Sequence, residues 1–204
     1  MSTSPFYFLA GIVTGPPVWL VFRLRASGKE NIPREGGFVL SANHLSNLDP
    51  WALGLPLFPR RQLRFMAKAE LFQSPLAPIV KAAGAFRVRR GKGDAEAIAT
   101  AMRLAHEGEV VVIFPEGTRR QKGLVKRHEA RPHTGAVRIA LRAGVPLVPA
   151  AIGGTDRLKR LGPLRVAYGT PIELDDLRDH DEREAAEIGT ERLMAAIEEL
   201  ERSL

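Results

Sequence analysis

The sequence predicts an α/β protein with a central mixed, largely parallel sheet flanked by helices. Short apolar runs alternate with longer amphipathic stretches along most of its 204 residues, which is the order expected of strands and the helices that cover them. Hydrophobic residues make up 45% and charged residues 26% of the chain, which are proportions of a globular protein rather than a disordered one.

Six strands and five helices follow from these patterns. The strands are brief apolar runs bounded by glycine, proline or charged residues, at 37–41, 63–66, 86–88, 110–114, 146–152 and 164–168. The helices are stretches with helical periodicity, at 50–57, 74–83, 94–106, 135–143 and 182–202. The last helix carries apolar residues at three-to-four spacing, so one of its faces is expected to pack on the body of the protein: Leu193, Ile197, Leu200 and Leu204.

The N-terminus is unusually apolar. The first 22 residues carry no charged side chain, and residues 6–22 are apolar except for one threonine. The run Gly15-Pro16-Pro17 is expected to break this segment into two short helical pieces that dip into one membrane leaflet. The alternative is an N-terminal element packed on the protein's own core. We therefore expect a membrane-associating segment at 1–25 and a single domain at 26–204.

Charge is distributed unevenly along the chain. Residues 1–172 hold 26 of the 30 basic residues and 11 of the 23 acidic ones, a formal charge of +15. Residues 173–204 form an acidic helical region with a formal charge of −8. A basic body favours an anionic partner, such as anionic membrane lipids, a phosphorylated metabolite or an acidic carrier protein.

Two features of the composition exclude classes of chemistry. There is no cysteine, so disulfides, thiolate metal sites and a cysteine nucleophile are excluded. The five histidines are scattered and are not paired with carboxylates at metal-ligand spacing, so we expect no metal and no other cofactor. Aromatic residues make up only 6%, which is too few for a platform that stacks nucleic-acid bases, and no nucleic-acid partner is expected.

A histidine and an aspartate stand five residues apart where a strand gives way to a helix. In the run Asn43-His44-Leu45-Ser46-Asn47-Leu48-Asp49, the histidine is a candidate base. The carboxylate of Asp49 could orient the imidazole and stabilise its protonated form. The alternative is that Asp49 caps the helix that begins at Pro50, and the two roles can coexist.

An arginine-rich strand forms a second candidate. Strand alternation places Phe86, Val88 and Arg90 on one face, with Arg87 and Arg89 on the other. Because Arg90 shares the apolar face, it is expected to meet an anion there. The alternative is that the strand ends earlier and all the arginines are solvated.

A glycine-containing turn forms the third. The run Phe114-Pro115-Glu116-Gly117-Thr118-Arg119 follows an apolar strand. Such a turn presents backbone N–H groups, and Arg119 adds a donor suited to phosphate, so the turn is a candidate anion site. Ligands of open α/β sheets bind beyond the carboxyl ends of the strands, where this turn and His44 are both expected. The alternative is an ordinary polar turn.

Together these runs resemble the ordered motifs of the glycerolipid acyltransferases, and the nearest group is the bacterial 1-acyl-sn-glycerol-3-phosphate acyltransferases. The resemblance covers about residues 28–170. Its four motifs are His44-x4-Asp49, Gly84-x-Phe86-Arg87-Val88-x-Arg90, Phe114-Pro115-Glu116-Gly117-Thr118-Arg119 and Val145-Pro146-Leu147-Val148-Pro149.

The resemblance implies a reaction and a place for it. An acyl chain would pass from acyl-CoA or acyl-carrier protein to the free hydroxyl of 1-acylglycerol 3-phosphate (lysophosphatidic acid), giving phosphatidic acid at the cytoplasmic face of the cell membrane. His44 would deprotonate the hydroxyl and Asp49 would orient His44. Arg90 and the turn at 116–119 would hold the acceptor phosphate, and the proline motif would border the acyl pocket. Ser46 and Arg87 are further candidates for substrate binding.

Other functions remain open from the sequence. The same chemistry could act on glycerol 3-phosphate, a lysophospholipid or a glycolipid. A protein of another class, a non-catalytic basic protein that binds membranes or nucleic acid, would need neither His44 nor Asp49.

Two departures from the family pattern bear on the site. Many members carry a lysine just before the glycine that opens the helix preceding the proline motif, where this chain has His133-Thr134-Gly135. Arg131, His133 or a backbone N–H would have to replace that lysine. Arg87 occupies a position that is often apolar or proline in the family, so it adds charge near the site.

Basic residues outside the motifs give two weaker candidates. The segment 119–133 holds six arginines and lysines against one glutamate, so it is either a solvated loop or a surface that steers an acidic donor. Lys68 is a weaker phosphate-binding candidate.

Overall fold

Seven strands form one sheet in the computed structural model, which describes residues 4–75, 77–88, 94–117 and 132–204. The strands are β1 (Arg25–Ser27), β2 (Phe38–Ala42), β3 (Leu63–Lys68), β4 (Ala85–Val88), β5 (Val110–Ile113), β6 (Leu147–Gly153) and β7 (Arg165–Tyr168). Their order across the sheet is β1-β7-β6-β2-β5-β3-β4. The five strands from β6 to β4 are parallel, β7 is antiparallel to β6, and β1 is parallel to β7. The predicted fold class is therefore confirmed.

The helices are α1 (Pro5–Val21), α2 (Asp49–Gly54), α3 (Ala77–Ala82), α4 (Asp94–His106), α5 (Gly135–Ala143) and α6 (Glu182–Arg202). The last three have the bounds that the sequence predicts. The helix expected at 50–57 is α2 followed by a 3₁₀ turn at Leu55–Leu57, and the helix expected at 74–83 is only α3. Strand β1 was not predicted, because three residues at a sheet edge carry no readable apolar pattern.

The core lies on both faces of the sheet, because strand residues alternate between them. In β2, Phe38 and Leu40 face one side and Val39 faces the other, and all three are fully buried. The first face is covered by α1 and α2, and the second by α4, α5 and α6. Of the apolar residues predicted on α6, Leu193 and Ile197 are fully buried in the second face.

Helix α1 corrects the expectation of two helical pieces, because it runs unbroken through Pro16 and Pro17. Ser4 is the N-cap of this helix, and its Oγ accepts a hydrogen bond from the N–H of Tyr7 at 3.1 Å. Gly15 precedes the prolines and has no Cβ to clash with the ring of Pro16. Docking on the body also holds the two halves in line, since Gly15 and Val18 are buried.

The outer side of α1 remains apolar. The large apolar side chains of this helix that are between 42% and 78% exposed are Phe6, Phe8, Leu9, Ile12, Val13, Trp19, Leu20 and Val21. Across the ranges that the structure describes, we find no helix with both the length and the apolar character that a membrane span requires.

Candidate active site

The site lies at the carboxyl end of β2, where Asn43 holds the chain in place. The side-chain oxygen of Asn43 accepts a hydrogen bond from the N–H of Ile152 at 2.8 Å, and its amide nitrogen donates to the Ile152 carbonyl at 2.9 Å. The same nitrogen donates to Glu201 Oε1 at 2.7 Å. Asn43 is fully buried. Its two hydrogen bonds to the backbone of Ile152 continue the pairing of β2 with β6 beyond the end of β2. His44 therefore leaves the sheet from a fixed point.

His44 and Asp49 form a hydrogen-bonded pair, as the sequence predicts. The Nδ1 atom of His44 lies 2.8 Å from Oδ2 of Asp49. The same oxygen accepts the backbone N–H groups of Leu45 at 2.6 Å and Ser46 at 2.8 Å. An oxygen with these donors is an acceptor, so Nδ1 carries the proton and Nε2 presents its lone pair. The arrangement suits a general base.

The other oxygen of Asp49 has a partner that sequence reasoning missed. The Thr155 hydroxyl donates to Oδ1 at 2.5 Å, and both side chains are buried. Thr155 follows β6, and β6 is the neighbour of β2 in the sheet. The polar residue that follows the apolar run of β6 after two glycines was the one signal in the sequence that could have pointed to it.

The capping alternative for Asp49 is wrong. Helix α2 begins at Asp49 itself, and its N-cap is Leu48 with no side-chain capping bond. The oxygens of Asp49 accept from the loop before the helix and from Thr155, not from the first turn of α2. The carboxylate therefore organises the His44 loop.

Phe114 fixes the plane of the histidine ring. It follows β5, and its ring stacks on that of His44 with centroids 4.1 Å apart and planes 15° from parallel. The ring of His44 is thus held by a hydrogen bond in its plane and an aromatic face beside it. The side chain of His44 is 17% exposed, so the imidazole is sheltered but still accessible from solvent.

The turn after β5 lies beside this pair. The N–H of Gly117 donates to the Phe114 carbonyl at 3.0 Å, and Glu116 is buried. Gly117 has φ +65°, and a Cβ there would lie 2.5 Å from the ring of His133. The N–H of His133 donates to the Pro115 carbonyl at 2.7 Å, so His133 packs on this turn.

Not every predicted residue joins this cluster. Ser46 contributes its backbone N–H, while its Oγ accepts from the N–H of Leu48 at 3.3 Å. Arg87 is exposed on β4, three strands from β2, or about 14 Å at the usual strand spacing. Lys68, at the end of β3, is also exposed. The predictions for Arg90, Thr118, Arg119 and Arg131 lie outside the described residues.

The described parts of the chain contain no group of three or more histidine, aspartate or glutamate side chains arranged to hold a metal ion. The chemistry that these residues support is proton transfer at His44 Nε2. The carboxylate of Asp49, hydrogen-bonded to Nδ1, would stabilise the protonated imidazole.

Comparisons with known proteins identify the family of this chain. The model of the family described as "Acyltransferase" matches residues 23–153. The 1-acyl-sn-glycerol-3-phosphate acyltransferase of Bacillus subtilis (strain 168) is 35% identical over 185 residues, which cover 89% of each chain. The protein of the same name from Borreliella burgdorferi is 27% identical over 147 residues, covering 68% of this chain and 55% of that protein.

A solved structure extends the similarity to the fold. The crystal structure of the 1-acyl-sn-glycerophosphate (LPA) acyltransferase PlsC from Thermotoga maritima matches with a TM-score of 0.68 and 26% identity. The match covers 95% of this chain and 78% of that one. Because the family model spans more than half of the chain and the Bacillus relative covers most of it, the predicted resemblance is confirmed, and this chain belongs to the acyltransferase family.

Proposed function

We propose that this acyltransferase transfers an acyl chain from acyl-CoA or acyl-carrier protein to the free hydroxyl of 1-acylglycerol 3-phosphate, giving phosphatidic acid for phospholipid synthesis. The observation that carries the proposal is the hydrogen bond of 2.8 Å between His44 Nδ1 and Asp49 Oδ2, which leaves Nε2 as a base. The relatives that bear the name of this activity supply the acceptor.

The reaction needs one proton acceptor and one place for developing charge. Nε2 of His44 takes the proton of the acceptor hydroxyl while its oxygen attacks the thioester carbonyl. The new C–O bond forms, the C–S bond then breaks, and the leaving sulfur takes the proton from His44 and departs as the free thiol. Asp49 stays ionised and stabilises the imidazolium. Donors near Gly117 and Thr118 are the candidates for the oxyanion.

The acceptor's phosphate is assigned to the basic motifs. By resemblance to the family, Arg90 and the turn of Glu116, Gly117, Thr118 and Arg119 bind it. The position of Gly117 next to the His44 loop supports this assignment for the turn. Arg87, far from His44, is assigned to the rim of the site rather than to the reacting groups.

The enzyme is proposed to work at the cytoplasmic face of the cell membrane, as a peripheral protein on anionic lipids. The exposed apolar side of α1 supports insertion into the membrane surface, and the +15 charge of residues 1–172 supports attraction to anionic lipids. A lysolipid acceptor would already lie in that membrane.

A thiol-release assay with purified protein in detergent tests the proposal. Acyl-CoA and acyl-carrier protein are each offered with lysophosphatidic acid, glycerol 3-phosphate, a lysophospholipid and monoacylglycerol. The expected result is acceptor-dependent thiol release, with phosphatidic acid as the preferred product. Thiol release only with one of the other acceptors would support acyl transfer from the thioester but would reject lysophosphatidic acid as the acceptor. A protein that releases no thiol with any pair would be a non-catalytic binder.

A further inference from the structure

A cavity opens at the segment that follows β6, the strand next to β2 in the sheet. It has a volume of about 540 Å³ and is lined by the 3₁₀ segment Thr155–Arg160, directly after β6. That volume is within the range of small-ligand sites. None of the four acyltransferase motifs includes this segment.

The cavity begins next to the candidate base. Its first residue, Thr155, donates the hydrogen bond to Asp49 Oδ1, and Asp49 holds His44. In the sheet β2 lies between β6 and β5. The His44 loop is therefore flanked by this cavity at the end of β6 and by the turn at Gly117 at the end of β5.

The lining is cationic. Arg157, Lys159 and Arg160 stand against a single carboxylate, that of Asp156, which lies 3.6 Å from Arg157 Nε. The side chain of Arg157 is 61% exposed, so its guanidinium is accessible to a second anion. Leu158 packs on the core, which anchors the segment between its charged residues.

Both substrates of the proposed reaction carry phosphate, and the two sides of His44 offer separate places for them. The motif turn on the β5 side is assigned to the acceptor. We propose that the cavity at Thr155–Arg160 binds the phosphate of the 4′-phosphopantetheine arm that acyl-CoA and acyl-carrier protein share. This inference rests on the proposed function, because it takes the acyl donor from it.

The length of the segment fits a donor laid along it. The segment is kinked at Arg157, which has φ −121° and ψ 28°, so its six residues extend less than the roughly 12 Å of a straight 3₁₀ helix. The thioester would sit at the Thr155 end, near His44. The phosphate lies some way along the flexible arm and would meet Lys159 and Arg160 at the far end.

The main test removes the charge of the cavity. The variant Arg157→Gln, Lys159→Gln, Arg160→Gln should raise the donor KM roughly tenfold or more for acyl-CoA, acyl-carrier protein or both. The KM for lysophosphatidic acid and the turnover of acyl-pantetheine, which has no phosphate, should change less than threefold.

The matched control is Arg34→Gln, Arg60→Gln, Arg103→Gln. These exposed arginines lie at the opposite end of the strands, the amino end: Arg34 precedes β2, Arg60 precedes β3 and Arg103 is in the last turn of α4. The control removes the same net charge, so it measures long-range attraction alone. A donor KM that rises equally in both variants would overturn the proposal, as would a rise only in the acceptor KM.

Calorimetry with free CoA, dephospho-CoA and pantetheine separates this inference from the proposed function. The inference predicts that CoA binds wild type and control alike and binds the cavity variant at least tenfold more weakly. If the variant loses CoA binding and the wild type shows no acyl transfer, the phosphate site in the cavity is supported and the proposed acyltransferase function is rejected. Normal acyl transfer with unchanged donor KM and CoA affinity in the variant would reject the cavity and keep the function.

The two donor sources also separate. The wild type identifies the source of the phosphate by the donor that it turns over, acyl-CoA, acyl-carrier protein or both. The cavity variant should raise the KM of every donor that the wild type uses, and an unchanged KM for any donor that is used would overturn the proposal.

Discussion

Asp49 is a fully buried carboxylate whose two oxygens accept hydrogen bonds from His44, Leu45, Ser46 and Thr155. A buried charge is costly unless it is paired and hydrogen-bonded, and here each donor also fixes a part of the site. The carboxylate thus connects the loop after β2 to the residue after β6. Substitutions at Asp49 and at Thr155 should therefore separate the effect of the carboxylate's charge from the effect of its orientation toward His44.

Asp49→Asn should slow turnover by about 10²-fold or more, with little effect on the acceptor KM. An amide keeps an oxygen for the donors of the His44 loop but has no charge to stabilise the imidazolium. Steady-state kinetics with acyl-CoA check this, and Asp179→Asn on the surface is the control. Full specific activity in Asp49→Asn would show that its charge has no part in the reaction.

Thr155→Val should lower stability by about 1–3 kcal/mol, because it leaves Oδ1 of Asp49 buried without its hydroxyl donor. It should also reduce kcat, since Asp49 then has freedom to turn away from His44. Urea unfolding and turnover check the two effects. Thr155→Ser, which restores the hydroxyl, should recover both, and a failure to recover kcat would make Thr155 a packing residue.

At the scale of elements, α6 is tied to the rest of the second face by exposed ion pairs. Arg192 on α6 donates to both oxygens of Asp176, at 2.8 and 2.6 Å, and Arg138 and Arg142 on α5 pair with Glu182. The hydrogen bond from Arg192 lowers the pKa of Asp176 below its ordinary value of 3.8. The carboxylate therefore stabilises the fold only while it is ionised.

This lowered pKa predicts a pH-dependent difference between wild type and Asp176→Asn. A carboxyl with a depressed folded-state pKa contributes stability above its unfolded pKa and loses it as the pH falls through the folded value. Wild type should have the slightly higher urea midpoint at pH 7, and the difference should disappear as the pH falls below 3.8 and through the lowered folded-state pKa. The difference should also shrink in high salt, because the pair is exposed. A difference that persists in acid would assign the effect to something other than this ion pair.

Element boundaries show how far sequence patterns reach. The bounds of α4, α5 and α6 were predicted because each has a strong helical periodicity of its own. Helix α1 was predicted as two pieces because the cost of its prolines is local, whereas the docking of Gly15 and Val18 is a tertiary effect.

The residues of the site also divide into those that a local sequence pattern predicts and those that only the tertiary structure brings together. His44 and Asp49 stand in one short motif, so their pairing could be predicted. Asn43 and Thr155 were missed because their bonds join the residues that follow β2 to segments more than 100 residues away. That proximity is set by the order of strands in the sheet, which no local pattern records.

At the scale of the whole molecule, the apolar side of α1 and the basic body together predict binding to membranes. The variant Leu9→Asn, Val13→Asn, Leu20→Asn changes only exposed residues of α1 and leaves its buried side intact. In flotation assays, wild type should bind vesicles in high salt, and the variant should bind only anionic vesicles and be released by salt. Leu161→Asn, an exposed apolar residue outside α1, is the control. A wild-type protein that floats with neither anionic nor neutral vesicles would contradict membrane association.

The account depends most on His44 as the base, and one comparison tests this most directly. Thiol release from acyl-CoA in the presence of lysophosphatidic acid is measured for wild type and His44→Ala, with circular dichroism and acceptor binding as checks on folding. We predict a rate lower by about 10²–10⁴ in the variant, with the fold and acceptor binding retained. A folded His44→Ala protein that releases thiol within about threefold of the wild-type rate would contradict the account, since general-base loss costs far more than that.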